Sequence, residues 1–320
     1  MFCALSFQVM MSKPAPQFDW KRAIKWAGTL ISLGLFVWLL TRMDWREAWN
    51  ILKNMPFYSY LFAFLLLLGG QFLNSLRWYV LLRAQDVPIT ISQTFKIFLG
   101  GAFASNFLPS TIGGDSLRFL AISRIAKDQS LGLASVILDR LVNLMATCTL
   151  IPFSISVIAS TGLHINMDLF AVSLASIFNG KVIAWLKRVY RKYVDLIKRW
   201  FNKPKALILA FVIAWLSSVV LLSAVWVLAR GIGIPVTLWQ VIGVNTISYF
   251  ITLLPISISG YGLREITLTS FYTLLGATLE QATALALISR IFTTLVTLPG
   301  VIWMQRILSE TRDTQVQDSN

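Results

Sequence analysis

Charged residues are scarce in this sequence. Asp, Glu, Lys and Arg make up only 13% of the 320 residues, and hydrophobic residues make up 56%. In a soluble domain about a quarter of the residues are charged. The mean hydropathy of +0.70 points the same way. The composition therefore excludes a soluble globular domain and indicates an integral membrane protein.

Metal-binding and catalytic motifs are also lacking. The two cysteines, Cys3 and Cys148, are not in ligand spacing, and the single histidine, His164, falls in a predicted outer loop, so neither a disulfide framework nor a metal site is indicated. The sequence has no GxSxG elbow, HExxH helix, phosphate-binding loop or aspartate-rich metal motif. We expect no cofactor and no enzymatic activity.

A signal peptide is not indicated at the N-terminus. The first ten residues lack a charged lead and an apolar region long enough for one. Translation could begin at Met1, Met10 or Met11, and the later starts would remove Cys3.

Six windows are long and apolar enough to cross a bilayer, since a helix rising about 1.5 Å per residue needs about 20 residues. The sequence predicts an all-α polytopic integral membrane protein. The predicted spans are Ala23 to Thr41, Phe57 to Leu76, Leu131 to Ala159, Met167 to Leu186, Ala206 to Ala229 and Gln281 to Met304.

The basic residues follow membrane topology rather than a nucleic-acid surface. The net charge is +14, and nine lysines and arginines lie between Lys181 and Lys205. Short basic loops stay in the cytoplasm, so we place residues 1–22 and 306–320 in the cytoplasm, on either side of one transmembrane domain, 23–305. A bacterial cytoplasmic (inner) membrane is expected. The tryptophans near predicted span ends are expected to anchor at the interface: Trp26, Trp38, Trp78, Trp185 and Trp303.

Residues 185–201 of the basic loop read WLKRVYRKYVDLIKRWF. The apolar residues, Trp200 among them, recur at helical spacing opposite lysines and arginines. This pattern predicts a cytoplasmic amphipathic helix on the inner leaflet. It is either a topology anchor or a sensor of lipid headgroups.

A short repeat interrupts the apolar runs. Residues 109–118 read PSTIGGDSLR and residues 255–264 read PISISGYGLR, with proline, isoleucine, glycine, leucine and arginine at matching positions. Apolar arms precede them, Phe95 to Leu108 and Val241 to Leu254. Fourteen helical residues reach only about 21 Å, short of the roughly 30 Å hydrocarbon core. We predict two re-entrant helical hairpins, with repeat halves of about 91–159 and 237–304. The alternative is two tight turns at the membrane surface.

Three predicted crossings separate the two hairpins. An odd number reverses the side of entry, so the copies are expected to form an inverted repeat. Paired Gly/Pro-interrupted segments in two halves indicate a binding site near the midplane.

Seven ionisable residues fall at membrane depth in this topology, where each costs roughly 2.5 to 3.5 kcal/mol. Asp115 and Arg118 are three residues apart and can pair on one helical face. We expect the others to pair across the repeats. Four arginines against three carboxylates leave one positive charge, and arginine binds phosphate through a planar fork of donors. The alternative is that these charges only fix helix packing.

The candidate substrate-binding residues combine these charges with residues in or beside the two breaks, where backbone N–H groups can face an anion. They are Asn106, Gly113, Gly114, Asp115, Arg118, Asp139, Arg140, Gly260, Gly262, Arg264, Glu265 and Arg290.

Four ordered motifs carry a family resemblance: NFLPSTIGGDSLR, SVILDRLVNL, LLPISISGYGLREI and ISRIFTTLVTLPG. Together they resemble the lysylphosphatidylglycerol synthase transmembrane family, also called flippase-like membrane proteins, from about Ala23 to Met304. The resemblance implies a bundle with re-entrant helices. By position, it assigns the family's conserved charges to Asp115, Arg118, Arg140 and the pair Arg264 and Glu265. Asp139 stands where many members have glutamate.

The full-length members of that family make an aminoacylated phosphatidylglycerol with a soluble domain and move it between leaflets. This chain ends at Asn320, so we expect no lysyl transfer. The resemblance and the charges lead us to expect a lipid translocator or lipid-binding protein for a phosphorylated, anionic or aminoacylated headgroup. Its lipid, direction, energy source and oligomeric state stay open.

Two other hypotheses also stay open. One is an accessory subunit that binds a partner membrane protein. The other is a lipid-linked transferase with Asp115 or Glu265 as base.

Overall fold

The computed structural model describes residues 44–107, 111–161, 200–253 and 262–307, and the single positions 34, 37 and 41. These residues form helices joined by short turns, and no strand occurs among them, as the predicted all-α class requires. The predicted span Met167 to Leu186 lies outside the described residues, as do nearly all of the predicted basic helix and all but those three positions of the predicted span Ala23 to Thr41.

Four helices in the described ranges are long and apolar enough to cross a membrane: α2 (Phe57–Arg83), α5 (Gln129–Cys148), α7 (Pro204–Gly231) and α10 (Leu279–Thr297). They confirm that the remaining four predicted spans contain helices long and apolar enough to cross a membrane. A short amphipathic helix, α1 (Trp45–Asn54), precedes α2 and begins at Asp44, whose carboxylate accepts hydrogen bonds from the backbone N–H groups of Arg46 and Glu47. The number of crossings beyond these four stays a prediction.

Two of the predicted spans are interrupted. The single helix expected from Leu131 to Ala159 is split into α5 and α6 (Ile151–Ser160), because Pro152 in the first turn of α6 has no N–H to continue the ladder. Likewise α10 ends at Thr297, just before Leu298 and Pro299, and helix resumes at residues 300–307.

The predicted arms of the two hairpins are helices: α3 (Ile91–Phe107), α4 (Thr111–Ile125), α8 (Leu238–Leu253) and α9 (Leu263–Leu274). They contain 17, 15, 16 and 12 residues, so each is about 18 to 26 Å long. Helix α3 packs against α4, and α8 packs against α9. The joining segments, 108–110 and 254–261, lie outside the described residues. How the hairpins sit in the membrane stays a prediction.

Gly114 makes the α3–α4 contact close. A Cβ atom built on Gly114 would clash with the Gly101 carbonyl oxygen and the Ser105 hydroxyl, both on α3. Gly114 therefore allows the two arms to approach backbone to backbone.

Helices α2 and α7 form an antiparallel pair. Trp200, just before α7, donates a hydrogen bond from its indole Nε1 to the Leu81 carbonyl near the end of α2 (2.8 Å). At the other end, a Cβ on Gly231 would touch Met55 and Ser59, at the start of α2. One apolar core lies around α2 to α5 and the start of α7, and a second lies around the end of α7 and α8 to α10.

Two tryptophans differ from their predicted roles. Trp78 is fully buried rather than placed at the interface, and Trp200 is fully buried in the first core rather than facing lipid on an amphipathic surface. Both lie where α2 meets its neighbours.

The similarity between the halves extends further than the repeated motif. The segment VPIT (87–90) follows α2 and IPVT (234–237) follows α7. In each, the threonine hydroxyl accepts a hydrogen bond from the N–H of the glutamine three residues later, and that glutamine's side chain accepts one from the threonine N–H. These capping boxes start α3 and α8.

Candidate functional site

A buried carboxylate, Asp139, joins three helices. It lies midway along α5 and is 1% exposed. Arg77 Nε of α2 donates to Asp139 Oδ1 (2.7 Å), and Arg118 Nη2 of α4 donates to Asp139 Oδ2 (2.7 Å). Each oxygen of the carboxylate thus binds its own guanidinium, an arrangement that offsets the cost of burying the charges.

Arg77 continues this network toward α7. Its Nη1 donates to the side-chain oxygens of Asn143 (2.7 Å) and Asn74 (3.3 Å). The Ser217 hydroxyl also donates to the Asn74 oxygen (3.0 Å). Two asparagine side chains are therefore fixed by their oxygens.

Arg118 and Asp115 extend the cluster along α4. The guanidinium of Arg118 lies over the rings of Trp78 (4.1 Å) and Phe98 (5.0 Å), a favourable cation–π arrangement. Arg118 Nη1 is 3.6 Å from Asp115 Oδ1, so the predicted pairing at three-residue spacing is confirmed. Asp115 also accepts a hydrogen bond from Arg140 Nε.

A second cluster occupies the other half. Arg290 Nη1 of α10 donates to Glu265 Oε1 of α9 (2.9 Å). The N–H of Gly262, which has a φ of 81°, donates to Glu265 Oε2 (2.9 Å) and so caps α9. Glycine suits this left-handed backbone because it has no Cβ.

The two halves pair their charges in the same way. Arg140 follows Asp115 by 25 residues, and Arg290 follows Glu265 by 25 residues. We expected charges to pair across the repeats, but the buried ion pairs of the described residues lie within each half. The reason is local, because in each half the short arm packs beside the long helix that follows it.

A cavity of about 360 Å³ lies between the two clusters. Most of its lining residues have polar side chains, and the residues come from both halves: Asn74, Asn143, Thr147, Leu150, Ser218, Leu221, Leu222, Asn245, Thr246, Ser248, Tyr249, Thr252 and Arg264. Arg264 is the single charged residue in this lining, and it forms no hydrogen bond or ion pair within the described parts of the chain.

The predicted site residues separate into three groups. Arg264 lines the cavity, and the other described charges belong to the two clusters. Asn106 Nδ2 donates to Thr297 Oγ1 (2.9 Å) and links α3 to α10. Gly113 and Gly114 lie in the first turn of α4, Gly262 caps α9, and Gly260 lies outside the described residues. A binding role for these residues stays a prediction.

Sequence reasoning missed Arg77 and the asparagines. The predicted span ended at Leu76, one residue before Arg77, whereas α2 continues to Arg83. A usable signal was present: Asn74 and Arg77 are three residues apart, and Asn143 is four residues after Asp139. Those spacings place polar groups on the faces where the network forms.

Comparison with known proteins agrees with the motifs. The family model for the lysylphosphatidylglycerol synthase TM region matches residues 25–300. A UPF0104 membrane protein of Archaeoglobus fulgidus is 23% identical over 191 residues, which cover 56% of this chain and 56% of that relative. The chain therefore spans about half the length of this curated relative.

Proposed function

Because this chain belongs to the lysylphosphatidylglycerol synthase TM family, we propose that it binds the phosphorylated headgroup of a membrane lipid beside Arg264 and moves it between leaflets. The observation that carries this proposal is a guanidinium in a polar cavity with no hydrogen-bond or ion-pair partner among the described residues. A buried cation is costly without a counter-charge. A phosphate supplies that charge and matches the guanidinium fork.

The charge distribution supports an anionic ligand. The first cluster has three arginines, Arg77, Arg118 and Arg140, against two aspartates. In the second half, Arg264 and Arg290 lie near one carboxylate, Glu265. Each half therefore has one more cation than anions in these groups, and the cavity lies between them.

The arrangement of the halves supports transport as well as binding. Helices α2 and α7 run antiparallel, and each is followed by the same capping box and a short helix. We place these halves as an inverted repeat with re-entrant hairpins, an architecture in which a midplane site opens to one side and then the other. The acyl chains would stay in the bilayer while the headgroup occupies the cavity.

Liposomes containing the purified full-length chain test this proposal. Redistribution of a fluorescent short-chain phosphatidylglycerol between leaflets is followed with a membrane-impermeant quencher. We expect the wild type to accelerate redistribution, Arg264→Gln to abolish the acceleration, and Arg264→Lys to retain part of it. Arg46→Gln on exposed α1 is the matched control. Redistribution that is absent with the wild type, or unchanged by Arg264→Gln, would contradict the proposal.

We propose a carrier in a cytoplasmic membrane rather than an enzyme. Deletion of the gene distinguishes a carrier from a transferase. A carrier leaves the lipid inventory of the cell intact and changes leaflet placement, whereas a transferase that used Asp115 or Glu265 as base would leave one lipid species missing.

A further inference from the structure

The lining of the cavity carries information about the headgroup as well as its phosphate. Arg264 is its only charged residue, and no aspartate or glutamate lines it among the described residues. The described lining can therefore neutralise one anion, and it contains no carboxylate to neutralise an ammonium group.

The buried carboxylates Asp139 and Glu265 are already engaged. Asp139 binds two guanidinium groups, and Glu265 binds Arg290 and the Gly262 N–H. An ammonium that recruited either one would have to break a buried ion pair. Removing one partner from a buried ion pair costs more free energy than an exposed ion pair contributes.

The asparagines offer both donors and acceptors. Asn74 and Asn143 have their side-chain oxygens occupied by Arg77, and their Nδ2 groups have no acceptor among the described residues. Asn245 is held the other way, because its Nδ2 donates to the Val241 carbonyl (2.9 Å) and the Tyr272 hydroxyl (3.1 Å). That leaves its oxygen as an acceptor.

The open groups of these three asparagines include both donors and an acceptor. A ligand group that both donates and accepts would satisfy them together, and alcohol hydroxyls have that property.

The size of the cavity sets a further limit. Its volume of about 360 Å³ lies near the lower end of small-molecule sites, which run from about 300 to 1,000 Å³. It suits a phosphate with one small polar group attached, and it does not suit an acyl chain.

The geometry points to a specific ligand class: a lipid whose phosphodiester carries an uncharged polyol or a single sugar. The phosphodiester lies on Arg264, and the hydroxyls contact Asn74, Asn143 and Asn245. Lipids with an ammonium in the headgroup, aminoacylated lipids included, are disfavoured. This inference rests on the proposed function, since it describes the occupant of the same cavity.

A lipid panel tests the inference on the purified full-length chain in nanodiscs of phosphatidylcholine. The probes are phosphatidylglycerol, phosphatidylinositol, phosphatidylethanolamine and lysylphosphatidylglycerol, and bound lipid is counted by native mass spectrometry. We expect the two hydroxylated anionic lipids to bind at least about tenfold more tightly than the two ammonium lipids, the equivalent of one buried charge-assisted contact.

Asn245→Ala removes the open acceptor oxygen from the lining. The melting temperature of the lipid-free protein shows whether the variant folds, and affinity for phosphatidylinositol should fall about fivefold, the worth of roughly one hydrogen bond. Ser223→Ala, on α7 and outside the cavity lining, should change neither quantity.

The outcomes separate the inference from the function on which it rests. Tight binding of phosphatidylglycerol and phosphatidylinositol that depends on Arg264 and Asn245 supports both. Equal or tighter binding of lysylphosphatidylglycerol or phosphatidylethanolamine, still lost in Arg264→Gln, overturns the polyol assignment and leaves the lipid-binding function standing. Binding of no lipid in an Arg264-dependent way overturns both.

Discussion

Arg77 shows how a single residue can hold several helices. Its guanidinium binds Asp139 on α5 and Asn143 one turn further along, and it also contacts Asn74 on its own helix. Arg77 is 4% exposed and Asp139 is 1% exposed. Because both charges are buried, the loss of one partner leaves groups that water cannot reach.

Arg77→Ala should therefore lower the free energy of unfolding by about 3 kcal/mol, within the range measured when one partner of a buried pair is removed. A drop in melting temperature in detergent measures the effect. Arg83→Ala is the matched control, since Arg83 lies on the same helix, is exposed and donates only to the Val87 carbonyl. Equal melting temperatures for the two variants would mean that the cluster does not stabilise the fold.

For individual residues, the sequence predicts which side chains carry charge within apolar segments better than it predicts where those side chains lie in the fold. The scarcity of charge in apolar segments singles out Asp115, Asp139, Glu265 and their arginines, and the three-residue spacing predicts the contact of Asp115 with Arg118. It does not predict that Arg264 differs from the other arginines. That difference depends on which helix lies opposite each side chain, and such contacts are non-local.

Among the helices, the short arms depend on close backbone approach. Gly114 of α4 leaves no room for a side chain against Gly101 and Ser105 of α3, whereas a Cβ on Gly69 of α2 would have nothing within 4 Å. The two glycines thus form a natural comparison, since both are helical and differ in their surroundings.

Gly114→Ala should destabilise the protein by about 2 kcal/mol, because the added methyl group forces the α3 and α4 backbones apart. Gly69→Ala should be neutral or stabilise by up to about 1 kcal/mol, since alanine favours the helix. Thermal unfolding of both variants in the same detergent measures the difference. A Gly114→Ala protein as stable as Gly69→Ala would contradict the tight α3–α4 contact.

The limits of the arms were predicted less well than their existence. We placed their starts at Phe95 and Val241, but the helices begin at Ile91 and Leu238. The capping boxes of Thr90 with Gln93 and Thr237 with Gln240 explain the difference, because they start each helix on polar residues that a hydropathy window ignores. In the same way, Pro152 and Pro299 interrupt helices that apolar composition alone joins together.

For the whole molecule, the antiparallel pairing of α2 and α7 predicts topology. Ser92 follows the end of α2, and Arg230 lies in the last turn of α7. These helix ends lie at opposite ends of the α2–α7 pair, so the two residues should lie on opposite sides of the membrane. In the topology predicted from the basic residues, the Ser92 side is cytoplasmic.

Single-cysteine labelling measures this arrangement. In a background with Cys3→Ser and Cys148→Ser, a membrane-impermeant maleimide added to intact cells should label Arg230→Cys and spare Ser92→Cys. Permeabilised cells should show both labelled, because both positions are exposed. Labelling of both in intact cells would rule out the inverted repeat.

Each buried ion pair lies within one half, and this has a consequence for the proposed movement of the halves. Among the described residues, the interior contacts that cross between halves include neutral hydrogen bonds such as Ser217 to Asn74, Asn106 to Thr297 and Ser154 to Gly243. Each is worth about 1 kcal/mol, against about 3 to 5 kcal/mol for disrupting a buried ion pair. In the movement that we propose, the halves would therefore exchange neutral hydrogen bonds and keep each of these buried cations with its carboxylate.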